Sequence, residues 1–324
     1  FLFYFFDKFE FNKTLNLIIS LTTALICYPQ IGVPNDVHHA IIFSIIALLT
    51  FLLALKFDSK IHWFLIPIFI FLGFLSKQTP SGYFFLIILF FVFLDLVFDK
   101  NIKKIFLMAF SSIICLLIFF LTLSYNDIEF RNFYNQYINF PLNIAEVRAN
   151  ADAFLKPFNF SRYFVKFKYM HLSYFCLVII LVNHFLFSRI KLSIKDLLSI
   201  LAVISSTYAL IIHQLLSMSV KHIYFYIPIL LGISYNFIIR SDLSKKHLYC
   251  FFIIFIFILS TPYYFYTYIY NQKFKLACYN KNFSKYSITK IIDDKNNVKW
   301  KTCLYIDPSK EIENIKNVEL YLKK

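Results

Sequence analysis

The sequence predicts an all-α polytopic membrane protein of about nine to ten transmembrane helices, ending in the start of a small α/β extracytoplasmic domain. Three observations lead there. The chain is 59% hydrophobic with a mean hydropathy of +0.65, and a soluble domain of its length needs far more polar surface. Apolar runs close to the ~20 residues that cross a bilayer recur along it. Those runs are uniformly apolar, which argues against barrel strands with their polar alternation. Open sheets are excluded because their edges stay unpaired in lipid.

Nine complete spans are expected, at 14–30, 40–56, 62–76, 82–98, 104–124, 171–187, 197–216, 222–239 and 247–270. The weakest is the first, with polar Thr22, Thr23 and Gln30. Residues 1–270 therefore form a multi-span domain with a long loop at 125–170, and residues 271–324 form a tail of different composition. In that tail Val298 to Ile306 reads as a strand. Pro308 to Leu322 reads as a helix, with Ile312, Ile315, Val318 and Leu322 on one face. Phe1 to Phe6 resembles the tail of a further span, and the chain is expected to be a fragment lacking both ends.

The loops alternate in charge. Lys8 and Lys13, Lys56 and Lys60, Lys100, Lys103 and Lys104, Arg189, Lys191 and Lys195, and Arg240, Lys245 and Lys246 fall on one side. The positive-inside rule makes that side cytoplasmic. The loop at 31–39 has no Lys or Arg, and the loops near 77 and 221 have one each. Every unusual polar group then lies on the extracytoplasmic side. Asp95 reads as interfacial at a cytoplasmic helix end.

The net charge of +15 is spread over short loops rather than gathered into one patch. It fits anchoring at anionic headgroups of the lipid bilayer, not a nucleic-acid partner. Cys27, Cys115, Cys176 and Cys250 lie in apolar runs and act as small hydrophobes. Cys278 and Cys303 lie in polar sequence and can pair in an oxidising compartment. The abundance of Phe, Ile, Lys, Asn and Tyr points to an AT-rich bacterial genome, hence a multi-pass protein of the bacterial inner (plasma) membrane.

Four stretches carry candidate chemistry. Pro34-Asn35-Asp36-Val37-His38-His39 opens a span. Asp36, His38 and His39 have the ligand chemistry for a divalent cation, Mg or Mn. Asp36 can instead orient a hydroxyl, and Asn35 or Asp36 can simply cap the helix. In Ser76-Lys77-Gln78-Thr79-Pro80, Lys77 can bind a phosphate as a point charge, or snorkel to the interface. Gln78 and Thr79 add polar groups, and Gly73 and Gly82 flank the turn. Phe130, Phe133, Tyr134 and Tyr137 have helical spacing and suggest an amphipathic interfacial helix. Arg131 and Arg148 are candidates to clamp a pyrophosphate, or else are anchoring arginines. His213-Gln214 and Lys221-His222 close and open two spans; a histidine at that depth faces protein or a cavity.

Together, Pro34-Asn35-Asp36-Val37-His38-His39-Ala40 and Gly73-Phe74-Leu75-Ser76-Lys77-Gln78-Thr79-Pro80 resemble the multi-span glycosyltransferases of the GT-C superfamily. The bacterial polyprenyl-phosphate-sugar-dependent, mannosyltransferase-like members are the nearest in pattern. Gln136 to Leu142 and His213-Gln214 to Ile229 fit the same resemblance. It implies transfer of a sugar from a polyprenyl-phosphate donor to a glycan, lipid or protein acceptor on the extracytoplasmic face. It also implies that Asp36, His38 and His39 belong to the catalytic loop region. Lys77, Gln78, Arg131, Arg148, His213 and Lys221 become candidates for the donor phosphate. The family's usual general base lies in a loop that would precede Phe1. An O-antigen-type polymerase or ligase shares the demand for outer arginines and a long outer loop. A transporter fits less well, because no internal repeat is visible and Gly is rare within the spans.

Overall fold

The computed structural model describes residues 1–27, 36–143, 161–186, 192–216, 223–240, 246–270, 288–293 and 298–302. The chain divides into two compact units, Phe1–Ile269 and Tyr270–Lys324.

The first unit is helical: α1 Leu2–Lys8, α2 Lys13–Ile26, α3 Asp36–Phe57, α4 Lys60–Ser76, α5 Gln78–Asp99, α6 Lys103–Tyr125, α7 Phe130–Tyr134, α8 Lys168–Phe185, α9 Ile194–Leu216, α10 Tyr226–Arg240 and α11 Lys246–Tyr264. π-Helical turns follow α7 at Asn135–Asn139, precede α8 at Ser161–Val165 and follow α11 at Phe265–Tyr270. Helix ends obey local chemistry. The Asn12 side chain caps α2 by accepting from the Thr14 and Leu15 amides at 2.9 and 3.4 Å. Asp36 puts a carboxylate in the first turn of α3, where the helix dipole favours it. Lys100 closes α5 in the left-handed conformation, φ 54°.

Each expected span coincides with a helix, with ends shifted by a few residues. Among the described residues, α3, α5, α6, α8, α9 and the helix continuing from α11 to Thr267 are long and apolar enough to cross a membrane. Helices α2, α4 and α10 are apolar but shorter, at 14, 17 and 15 residues. At 1.5 Å per residue they reach only about 21–26 Å against a hydrocarbon core of about 30 Å.

Packing separates a hub from a rim. α3 is apolar all round, and 72% of its spanning stretch is buried among α1, α4, α5 and α9. That is the pattern of a fully enclosed helix. By contrast α6 is about as apolar, yet only 11% of its spanning stretch is buried, and among the described residues its main helix partner is α4. Phe106 and Leu121 on α6, Leu86 and Phe93 on α5, and Phe251 and Ile258 on α11 all face outward. In water such a belt would cost ~25 cal/mol per Å²; hydrocarbon accommodates it at no cost.

Contacts sort the helix ends into two sets. At the basic end Arg240 donates to the Phe9 carbonyl at 2.5 Å, and Asn236 donates to the same carbonyl at 3.0 Å. At the opposite end His38 meets Phe225, and Tyr83 meets His213. The positive-inside rule predicts that the basic end faces the cytoplasm and this opposite end the outside. A His39→Cys variant lacking the native cysteines should therefore react with an impermeant maleimide added outside intact cells. Labelling only after access from the cytoplasm would reverse the orientation.

In the second unit β1 Ile288–Asp293 pairs antiparallel with β2 Val298–Thr302, in the register Ile288↔Thr302 and with an irregularity between Ile291 and Asp293. The expected strand at 298–306 overlaps β2. Its partner β1 was not anticipated, because Thr289 and Lys290 interrupt its apolar residues. The helix expected over Pro308 to Leu322 lies outside the described residues.

Candidate active site at the polar-loop end

The site is built on a crossing of small residues. Gly73 on α4 faces Ala40 and Phe43 on α3 and Ser81 on α5; a Cβ there would lie 2.5 Å from the Ser81 hydroxyl and 3.3 Å from the Ala40 carbonyl. Ser44 donates to the Ala40 carbonyl at 2.6 Å and shares a 3.0 Å hydrogen bond with Ser81. In lipid, where no hydrophobic force draws helices together, small residues with hydroxyl bonds allow this close approach. The approach brings the start of α3 against the α4–α5 junction. Lys77 adopts extended backbone between the two helices, and its ammonium lies 3.5 Å from the Asp36 carboxylate. The Lys77 side chain is half-buried and that of Asp36 is exposed.

A strap crosses this junction. It follows α6 and runs through α7 and the Asn135–Asn139 turn. Phe130 and Phe133 pack back on Phe120 and Phe119 of α6, and Phe133 stacks on Tyr137 at 4.9 Å. Tyr137 then clasps the junction twice. Its hydroxyl donates to the Phe74 carbonyl, one of those left without a helical partner at the end of α4, and its own carbonyl accepts from the Gln78 side chain. Burial first, and the Asp36 charge second, push the Tyr137 hydroxyl up to about 12. The neutral donor is thus favoured in the folded state. Its contribution is complete below the ordinary tyrosine value and is lost as pH rises through about 12.

Below the junction an apolar groove of about 590 Å³ runs between α4, α5 and α6, lined by Phe74, Gly82, Phe85, Ile88, Met108 and Leu116 among others. From Gly82 to Phe93 its wall extends about 16 Å along α5. Phe74 and Gly82 are its lining residues nearest in sequence to the α4–α5 junction that carries Lys77.

The other candidates fall in different places. His38 is buried, with Nε2 3.5 Å from the Cys27 sulfur and its ring edge-on to Phe225. His39 is exposed. Residues two apart on a helix do not share a face, so Asp36 and His38 diverge. Among the described residues no group of three His, Cys, Asp or Glu side chains is placed to hold a metal ion. Arg131 is exposed on α7, and no described contact joins it to the Asp36–Lys77 pair. His213 is buried at the end of α9 with its ring edge-on to Tyr83 at 6.3 Å, beside buried Gln214. Arg148 and Lys221 lie outside the described residues.

Sequence reasoning missed the double role of Tyr137, which read only as one aromatic of an amphipathic face. It also misplaced a cluster at the basic end. Asp95 and Lys104, expected at the interface and in a solvated loop, are both buried and paired at 2.7 Å. An acidic residue inside an apolar run, with another four residues on and a lysine just beyond, was the available signal.

Comparison with protein-family models, curated proteins and solved structures finds no match to this chain. Its own architecture defines the class: a multi-pass helical membrane protein, whose Asp36–Lys77 ion pair lies at one end of the bundle, above an apolar groove.

Proposed function

We propose that this protein is a glycosyltransferase of the GT-C type, moving a sugar from a polyprenyl-phosphate donor to a glycan, lipid or protein acceptor. The active face is extracytoplasmic, in a bacterial inner membrane. The observation that carries the reading is the half-buried Lys77 ammonium, paired with Asp36 at the α4–α5 turn, on the same hairpin whose Phe74 and Gly82 begin an apolar groove. A lipid-linked phosphate needs a cation at headgroup level and an apolar channel for its tail, and the α4–α5 hairpin carries both, Lys77 at its turn and the groove along its two arms.

In this reading the acceptor hydroxyl attacks the anomeric carbon and the bond from that carbon to the phosphate oxygen breaks. The electron pair leaves with the phosphate, whose growing negative charge Lys77 stabilises, and the hydroxyl's proton ends on the released phosphate. Asp36, exposed and held next to Lys77, orients the acceptor hydroxyl. Gln78 and Tyr137 keep the junction closed around Lys77. A divalent cation bound at Asp36 would draw its other ligands from outside α3, because His38 points elsewhere.

The test is transfer from a polyprenyl-phosphate sugar by the full-length protein in liposomes. Gly82→Phe is the informative variant. Gly82 lines the groove and a Cβ there meets no atom within 4 Å, so a ring at this position is expected to occupy the groove. A loss of about tenfold or more is expected. Unchanged transfer would remove the groove from the mechanism, and no transfer from any such donor by the parent protein would end the reading.

A further inference from the structure

The Lys104 ammonium, buried at the basic end, gathers three carboxylates: Asp95 at 2.7 Å, Asp99 at 2.5 Å and Asp58 at 3.4 Å. It also lies over the Trp63 ring at 5.2 Å. Asp95 and Asp99 are one turn apart on α5 and so share a face. Asp58 sits in the left-handed turn between α3 and α4, φ 47°, and Trp63 is on α4. One side chain at the start of α6 thus ties that helix to α5, to α4 and to the α3–α4 turn.

Elsewhere α6 is held lightly. It runs along α4, barely touches α5 among the described residues, and the apolar groove separates it from α5. No hydrophobic force pulls two helices together in hydrocarbon, so polar contacts at the two ends decide where α6 sits relative to α5. At the far end, about 30 Å away along the helix, the strap continues directly from α6 and grips the α4–α5 junction through Tyr137.

We infer that Lys104 is the pivot of a lateral gate: its ion cluster pins the inner end of α6 to α5, while the outer end swings with the strap to open the groove to lipid. Release of the Tyr137 clasp lets the outer half of α6 move away from α5, and re-forming it closes the groove beside Lys77. The inference concerns motion and stands independently of the group transferred.

Nitroxide pairs in full-length protein without native cysteines, reconstituted in lipid nanodiscs, test it by pulsed electron paramagnetic resonance. Leu86 and Leu121 report the outer halves of α5 and α6, and Val97 and Phe106 report the inner ends; all four face outward. Tyr137→Phe should shift the outer pair to longer, broader distances and leave the inner pair unchanged. Lys104→Met should shift and broaden both pairs, and the exchange Lys104→Asp with Asp95→Lys should restore the inner pair. If Lys104→Met does not fold, Asp99→Asn carries the same test, with a smaller shift expected. Identical outer-pair distributions in the parent and in every variant that folds would overturn the gate. Equal movement of both pairs in Tyr137→Phe would overturn the pivot.

Discussion

Replacing Lys77 by alanine is expected to lower sugar transfer by about a hundredfold, the order seen when one donor to developing negative charge is removed. Its ammonium is half-buried at the α4–α5 turn, 3.5 Å from the Asp36 carboxylate. In that geometry it is less screened than a surface lysine. With tail recognition in the groove, as proposed, the loss should fall on kcat more than on the apparent affinity for donor. Lys77→Arg keeps the charge but changes its reach, and partial activity is expected. Asp36→Asn should reduce transfer less than Lys77→Ala if Asp36 only orients the acceptor. Wild-type rates in both Lys77→Ala and Asp36→Asn would move the site elsewhere.

Gly73→Ala should destabilise the protein by about 1–3 kcal/mol, the usual cost of overpacking a tight contact. Alanine is normally the better helix former by about 1 kcal/mol, so the sign depends on the space available. The new Cβ would meet the Ser81 hydroxyl at 2.5 Å, which can move only by giving up its bond to Ser44. Behind it stand the Ala40 carbonyl and the Phe43 Cβ, both at 3.3 Å, and neither is a flexible tip. The clash therefore outweighs the propensity gain. Gly82→Ala is the control: it meets nothing within 4 Å and should be neutral or mildly stabilising. Thermal unfolding in detergent separates the two. The same Gly73 variant should also weaken transfer, since the crossing holds α3 and Asp36 against Lys77. Equal stability of both alanine variants would show that the crossing is not tight.

Much of the helical layout was legible in the sequence, because a run of apolar residues in lipid has few options. Its backbone must satisfy itself, so each run is a helix, and breaks such as Lys77 or Asp58 mark the ends. Helix lengths were less legible. Apolar residues flank α2 at Cys27 and α10 at Ile223–Phe225, so hydropathy alone runs past those ends, whereas α4 is two residues longer than its expected span. The pairing of Asp36 with Lys77 was not readable either. Both residues stood out as outer polar groups, but 41 positions of sequence separate them, and only the Gly73 crossing closes that gap. Tyr137 shows the same limit: spacing marked it as one face of a helix, whereas its meaning comes from an unpaired carbonyl on another helix.

By itself the sequence determined that this is a helical membrane protein, where most of its helices begin and end, and which loops are basic. Those are local properties, set by hydropathy and charge along a few consecutive residues. Tertiary structure alone decided that α3 is enclosed while the similarly apolar α6 lines the rim, since average hydropathy does not say which helix meets lipid and which meets protein. It also decided that Lys104 is buried rather than solvated, because three carboxylates from two other segments converge on it. Convergence of distant side chains depends on how helices cross, and crossing is governed by small residues such as Gly73 whose effect appears only when their neighbours are in place.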